Sequence, residues 1–273
     1  MKKVIFSVAT FALVATNILT SCKKDAPIAK KLTTLEQIQL VGENYSDYPK
    51  NLAKGKEPNA GRVIAADACG ALSGCMTILT SVLGACAYSV YDLYQQGSLG
   101  LVVNNPNGGT SNPNNPYDNL GVFHNQTIIS YANQYGQNTG ITTGSLNSFI
   151  ANSYNSTFTY TPTSTETTFV NNFNFIQLHS SLVESSYNNT GISGIVENHK
   201  NAGYLDQVEA NILSTYLNNL ANFSTLNEGQ SYSIDCENVI LNSNLPSASK
   251  QKLLISMSIA RNSFTLYFGK ELI

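Results

Sequence analysis

Between Asp67 and Asp92 the chain runs for 24 residues, Ala68 to Tyr91, without a charged side chain. A charge-free run of this length belongs inside a protein or inside a bilayer. As one continuous helix it would extend roughly 36 Å, enough to cross a membrane. Gly70 and Gly74 form a small-x3-small pair, and Ser81, Ala85 and Ser89 continue a ridge of small residues at spacing four. Such a ridge lets two helix backbones come close. One reading is therefore a membrane-active or oligomerising helix over residues 68–91. The other is the central helix of a bundle, apolar all round because neighbours surround it. Ser73, Thr77, Thr80 and Ser81 inside the run favour the bundle.

The N-terminus favours it too, because it carries an anchor of its own. Lys2 and Lys3 precede a mostly apolar, uncharged run from Val4 to Leu19, too short for a comfortable span but of signal-peptide length. The run ends in Leu19-Thr20-Ser21-Cys22, which resembles the lipobox cut by the lipoprotein signal peptidase. Residues 1–21 are thus expected to be removed and Cys22 to be lipidated, by palmitate among other chains. Two or more acyl chains hold stably where one is marginal, each buried methylene contributing ~0.8 kcal/mol. The expected location is the cell envelope, at the outer membrane. Residues 22–61, with Lys23, Lys24, Asp25, Pro27, Pro49, Gly55 and Pro58, are polar and turn-rich and are expected to form a flexible tether. A short helical stripe of Leu32, Leu35, Ile38 and Leu40 interrupts it.

Without Lys2 and Lys3, 13 basic residues face 17 acidic ones, a formal charge of −4. With no clustered Lys and Arg, nucleic acid is not an expected partner. The expected partners are the membrane, through the lipid, and another envelope protein or a second copy of the chain. From residue 62 onward apolar residues recur at helical spacing, and strand-like alternation is weak. An Asn-, Pro- and Gly-rich loop, Asn104 to Asn114, follows the first segment. A helix is expected from Asn115-Pro116-Tyr117-Asp118 to Tyr135, with Asn115 as N-cap. A shorter one is expected around Ser145–Tyr154. The next opens on the capping box Thr163-Ser164-Thr165-Glu166 and carries Phe169, Phe173, Ile176, Val183 and Tyr187 on one stripe. Gly191, Gly194 and Gly203 mark a connection. Further helices are expected from Tyr204 to Phe223, around Cys236–Leu241, and from Ser247 to Phe268. One-sided helices with short connectors bury their stripes against each other. The expected fold is all-α: an irregular bundle of five to seven helices over residues 62–273, around a central Gly/Ala-rich apolar helix.

Candidate chemistry is sparse. Beyond Cys22 the cysteines are Cys69, Cys75, Cys86 and Cys236. In one straight helix Cys69 and Cys75 diverge, and Cys75 and Cys86 stand ~16 Å apart, beyond disulfide reach. A bridge from one of them to Cys236 is the easier pairing, and small buried thiols are the alternative. The Cys69, Cys75, Cys86 spacing does not suit zinc, so no metal or cofactor is expected. His124, with Asn125 beside it, is the candidate polar site, yet it lies on an apolar helical face between Leu120 and Ile128 and reads first as a core histidine. Asp118 falls about 120° away on the same helix. No G-x-S-x-G, H-E-x-x-H or Walker loop is present, which weighs against a hydrolase without excluding one.

Three segments together carry a resemblance: Asp67-Ala-Cys-Gly70 with Gly74 and Gly84-Ala85, Asn115-Pro-Tyr-Asp-Asn-Leu-Gly-Val-Phe-His-Asn125, and Ser258-Ile-Ala-Arg-Asn-Ser263. In these the chain resembles a group of uncharacterised lipoproteins of the Bacteroidota. The resemblance implies an envelope location and no particular activity. Cys69, Cys75 and Cys86 depart from it, standing where small residues are expected.

Overall fold

The computed structural model describes residues 32–45, 60–102, 110–137 and 139–267. The signal peptide, Cys22 and the tether residues 23–31 and 46–59 lie outside the described residues. The described chain is all-α, with eleven α-helices and no strand. The helices are more numerous and shorter than the five to seven expected, because local side-chain bonds break several of the longer stripes.

Helix α1 (Thr34–Asn44) lies within the stretch read as tether. It is closed by a reciprocal capping box between Thr33 and Glu36. It packs on the body through Ile38, which is fully buried, while Leu32 and Leu40 of the expected stripe face outward. Tyr45 secures its end, edge-on to Phe223 and Tyr232, with its hydroxyl donating to Asp235 Oδ2 at 2.9 Å.

The uncharged run is not one helix. It forms α2 (Ala60–Ser73) and α3 (Ile78–Gln95), folded back on each other. The break is local chemistry. Thr77 caps α3, its Oγ1 accepting from Thr80 N–H, and Thr80 Oγ1 accepts in return from Thr77 N–H at 2.9 Å. The Thr80 hydroxyl also donates to the Gly74 carbonyl, tying the turn to the helix it starts. Continuing α2 through Gly74 would forfeit these bonds.

The remaining helices are α4 (Asp118–Tyr135), α5 (Thr143–Phe158), α6 (Ser164–Asn172), α7 (Phe175–His179), α8 (Ser185–Asn201), α9 (Gln207–Leu220), α10 (Leu226–Asn242) and α11 (Ser247–Tyr267). A wide, π-type turn, Ser180–Glu184, joins α7 to α8, and α8 itself bends at Gly191, where φ is 63° and ψ −150°. The stripe from Phe169 to Tyr187 is broken at Phe173, which is extended. Asn147 accounts for the break, because its amide donates to the carbonyls of Val170 and Phe173 at 2.9 and 2.8 Å. Asn115 does not cap α4. It closes an Asx turn onto Tyr117 N–H and sends its amide to Glu237 and the Leu254 carbonyl. The hairpin α2–α3 and α11 form the centre of the bundle, with α4, α8 and α10 around them. The core is therefore a trio of helices rather than one Gly/Ala-rich helix.

Candidate functional site

The small-residue ridge is an internal packing device, divided between two helices. Gly70 and Gly74 belong to α2 and its turn, whereas Ser81, Ala85 and Ser89 belong to α3. The close approach is between Gly70 and Gly84. A Cβ on Gly70 would lie 2.6 Å from the Gly84 carbonyl oxygen, and one on Gly84 would collide with the Gly70 carbonyl. Ala85 and Ser89 are fully buried. Ser89 shares a 2.8 Å hydrogen bond with the Tyr267 hydroxyl of α11. Residues 68–91 are buried on both sides of the turn, with only Cys75 to Ile78 reaching solvent. Among the described residues no helix is long and apolar enough to cross a membrane. A membrane-perturbing role would require this hairpin to leave the core.

Cys69, Cys75, Cys86 and Cys236 are all free thiols, so none of the candidate disulfides is formed. Burial raises the thiols of Cys69, Cys86 and Cys236 above the ordinary range, which keeps them protonated and inert. No group of three or more His, Cys, Asp or Glu among the described residues is placed to hold a metal ion.

His124 is fully buried, as its position on the apolar face suggested. Its Nδ1 lies 3.1 Å from Asn125 Oδ1, and the Asn125 amide donates to the Asn262 carbonyl at 2.8 Å. Its Nε2 faces Asp67 Oδ2 at 3.6 Å. Asp67 Oδ2 also accepts from the Ser263 hydroxyl at 2.6 Å, across a sequence separation of 196. Burial pulls His124 down to about 4 and pushes the Asp67 carboxyl well above the carboxylate range. His124 is therefore uncharged at neutral pH, and the Asp67 carboxyl holds its proton to higher pH than a free carboxyl does. His124 and Asp67, both fully buried, form with the partly buried Asn125 a polar clasp between α2, α4 and α11. Asp118, six residues before His124, is turned elsewhere.

Its partner is Arg261, which is buried to 1% exposure and escaped the sequence reading. The Arg261 Nε donates to Glu237 Oε1 at 2.9 Å, one terminal nitrogen to Asp118, and the other to the Thr110 carbonyl. Asn112 and Asn115 donate to the other oxygen of Glu237 at 2.8 and 3.1 Å. The guanidinium therefore binds residues 110–118 down onto α10 and α11. A cleft of about 320 Å³ opens beside it, with Asp118, Val122, Phe123, Phe158 and Asn262 in its walls.

A third network was equally hidden. Asp92, at the far end of the uncharged run, is fully buried, with Arg62 Nη2 at 2.6 Å and Gln96 Nε2 at 2.8 Å. His179 places Nε2 3.2 Å from Asp92 Oδ1 and Nδ1 3.5 Å from Glu184 Oε1. The rings of Tyr88 and Tyr91 stand edge-on to it. The stretch from Gly191 to Gly203, expected as a connection, is helical to Asn201, and His199 lies buried in the last turn of α8 with Nδ1 2.8 Å from the Ile195 carbonyl; burial pulls it to about 4. The one signal for these networks was that the charges bounding the run, Asp67 and Asp92, border helices with no polar face to carry them outward. Comparison with protein-family models, with curated proteins and with solved structures finds no match.

Proposed function

We propose that this protein is a lipid-anchored lipoprotein of the bacterial cell envelope, at the outer membrane, whose helical domain acts by non-catalytic binding, to another envelope protein or to a second copy. One observation carries the reading. The charged and polar side chains that catalysis would draw on, Asp67, Asp92, His124, His179, Glu237 and Arg261, are each buried and committed to neighbouring helices. They stiffen a scaffold, and charged residues make up only 12% of the chain, as suits a polar docking module. The burial of residues 68–91 supports the lipid as the anchor, since that run is engaged in the core.

The test has two arms. Cells fed an alkyne-bearing palmitate are expected to label the mature chain, and Cys22→Ser to abolish the label. Absence of label from the native chain would refute the anchor. Chemical crosslinking in intact membranes is then expected to give a discrete adduct of defined stoichiometry. No adduct, together with a monomeric domain in solution, would refute the binding role.

A further inference from the structure

His179 sits where two irregularities of the backbone bracket one short segment. The π-type turn begins at the next residue, and its wider winding brings residue i+5, Glu184, back over the His179 ring. Eleven residues after Ser180, Gly191 interrupts α8 in a conformation that only glycine adopts comfortably. Residues 180–190 thus lie between a widened turn and a glycine bend. They are held to the hairpin α2–α3 through Glu184, His179, Arg62 and Asp92.

Both ring nitrogens of His179 face carboxylates, Asp92 on one side and Glu184 on the other. Only the imidazolium has a proton on each nitrogen; the neutral ring would aim a lone pair at one of the two carboxylates. Among the described residues, the following charged and titratable groups enter the balance. Helix α3 contributes Asp92 and the hydroxyls of Tyr88 and Tyr91, helix α2 contributes Arg62, the turn contributes Glu184, and α8 contributes His199, which stays neutral. With His179 protonated, two cations meet two anions and the cluster is neutral. Without that proton it carries one uncompensated negative charge in a buried site.

We infer that protonated His179 is a latch that closes residues 180–190 over the α2–α3 hairpin, and that loss of its proton releases this segment about the Gly191 hinge. Glu184 is the group that leaves, because its side chain is 34% exposed whereas Asp92 is fully enclosed. Although burial alone would lower His179, the nearby carboxylates of Asp92 and Glu184 raise it above the ordinary histidine value. The sign follows. The latch is fully closed below about pH 6.5 and opens as pH rises through the folded-state value.

Hydrogen exchange of the full chain, followed by mass spectrometry between pH 6 and pH 9 and corrected for intrinsic rates, tests this. Peptides covering 180–190 are expected to gain up to about tenfold in exchange for each pH unit between about pH 6.5 and the folded-state His179 midpoint, and to level off above it. His179→Gln is expected to exchange fast and without this pH dependence, while His199→Gln keeps the native profile. Unchanged corrected exchange in the native chain, or the same pH profile in His179→Gln, would overturn the latch. Should His179→Gln not fold, imidazole nitrogen NMR of the native chain serves in its place. Amide shifts of 180–190 moving with the His179 titration support the latch, and a titration they ignore overturns it.

Discussion

Replacing Gly70 by alanine pits two effects of opposite sign against each other. On an exposed helix the exchange stabilises by up to about 1 kcal/mol, because alanine loses less backbone entropy on folding than glycine. Here the new Cβ would stand 2.6 Å from the Gly84 carbonyl oxygen and 3.0 Å from Tyr88 Cβ. The first distance is about 1 Å short of the ~3.5 Å optimum for non-bonded heavy atoms. The obstruction is backbone on a facing helix, so no side chain can swing aside and α2 and α3 must separate. Overpacking of this kind costs about 1–3 kcal/mol. The separation also strains the 3.1 Å hydrogen bond between Ser73 and Tyr88 across the same interface, worth about 1 kcal/mol. With the propensity gain subtracted, the net loss is about 2 kcal/mol, or about 4–8 °C in Tm for a domain of this size. Thermal unfolding followed by circular dichroism measures it. Gly144→Ala is the control, since Gly144 lies in the first turn of α5 and a Cβ there meets nothing within 4 Å. It should match or slightly exceed the native chain. A Gly70→Ala protein as stable as the native one would refute the close-packed hairpin.

Other consequences are as specific. Arg261→Met removes the cation bound to the fully buried Glu237 and frees residues 110–118, so chemical denaturation should show a loss of about 3–5 kcal/mol; a loss under 1 kcal/mol would contradict the assigned network. Asp67 holds its proton in the folded state at pH values where the unfolded chain has lost it, so it makes stability fall as pH rises above about 3.9. Asp67→Asn, which can still accept from Ser263, should flatten that fall between pH 5 and pH 7; an unchanged slope would assign the effect elsewhere. Among the four thiols of the helical domain, only Cys75 is partly exposed, so iodoacetamide should modify it alone in the native protein and all four after unreduced denaturation. A requirement for reductant would reveal a bridge.

What could be read in the residues follows how local the cause is. The capping box Thr163–Glu166 and the stripe of α11 are written within a few consecutive positions, and the helices they announce are present. The all-α class follows in the same way, from repeated helical spacing. The break at Gly74–Thr77 was harder to foresee, because threonine hydroxyls folding back on their own turn leave no mark on an apolar pattern. The end of α6 depends on Asn147, more than twenty residues upstream. The polar networks depend on partners still farther apart, such as Asp67 with Ser263 and Arg62 with His179 through Asp92. For His124 the neighbouring apolar residues correctly suggested burial, but nothing nearby pointed to Asp67 as the group it faces.

The hairpin of residues 68–91 belongs to the core, and attachment to the membrane is proposed to rest on Cys22. It is tested by exporting residues 23–273 behind a leader cleaved by the general signal peptidase, then washing membranes with alkaline carbonate. This unlipidated chain is expected folded in the soluble fraction while the native chain stays with the membrane. An unlipidated chain that remains embedded after the wash would contradict it.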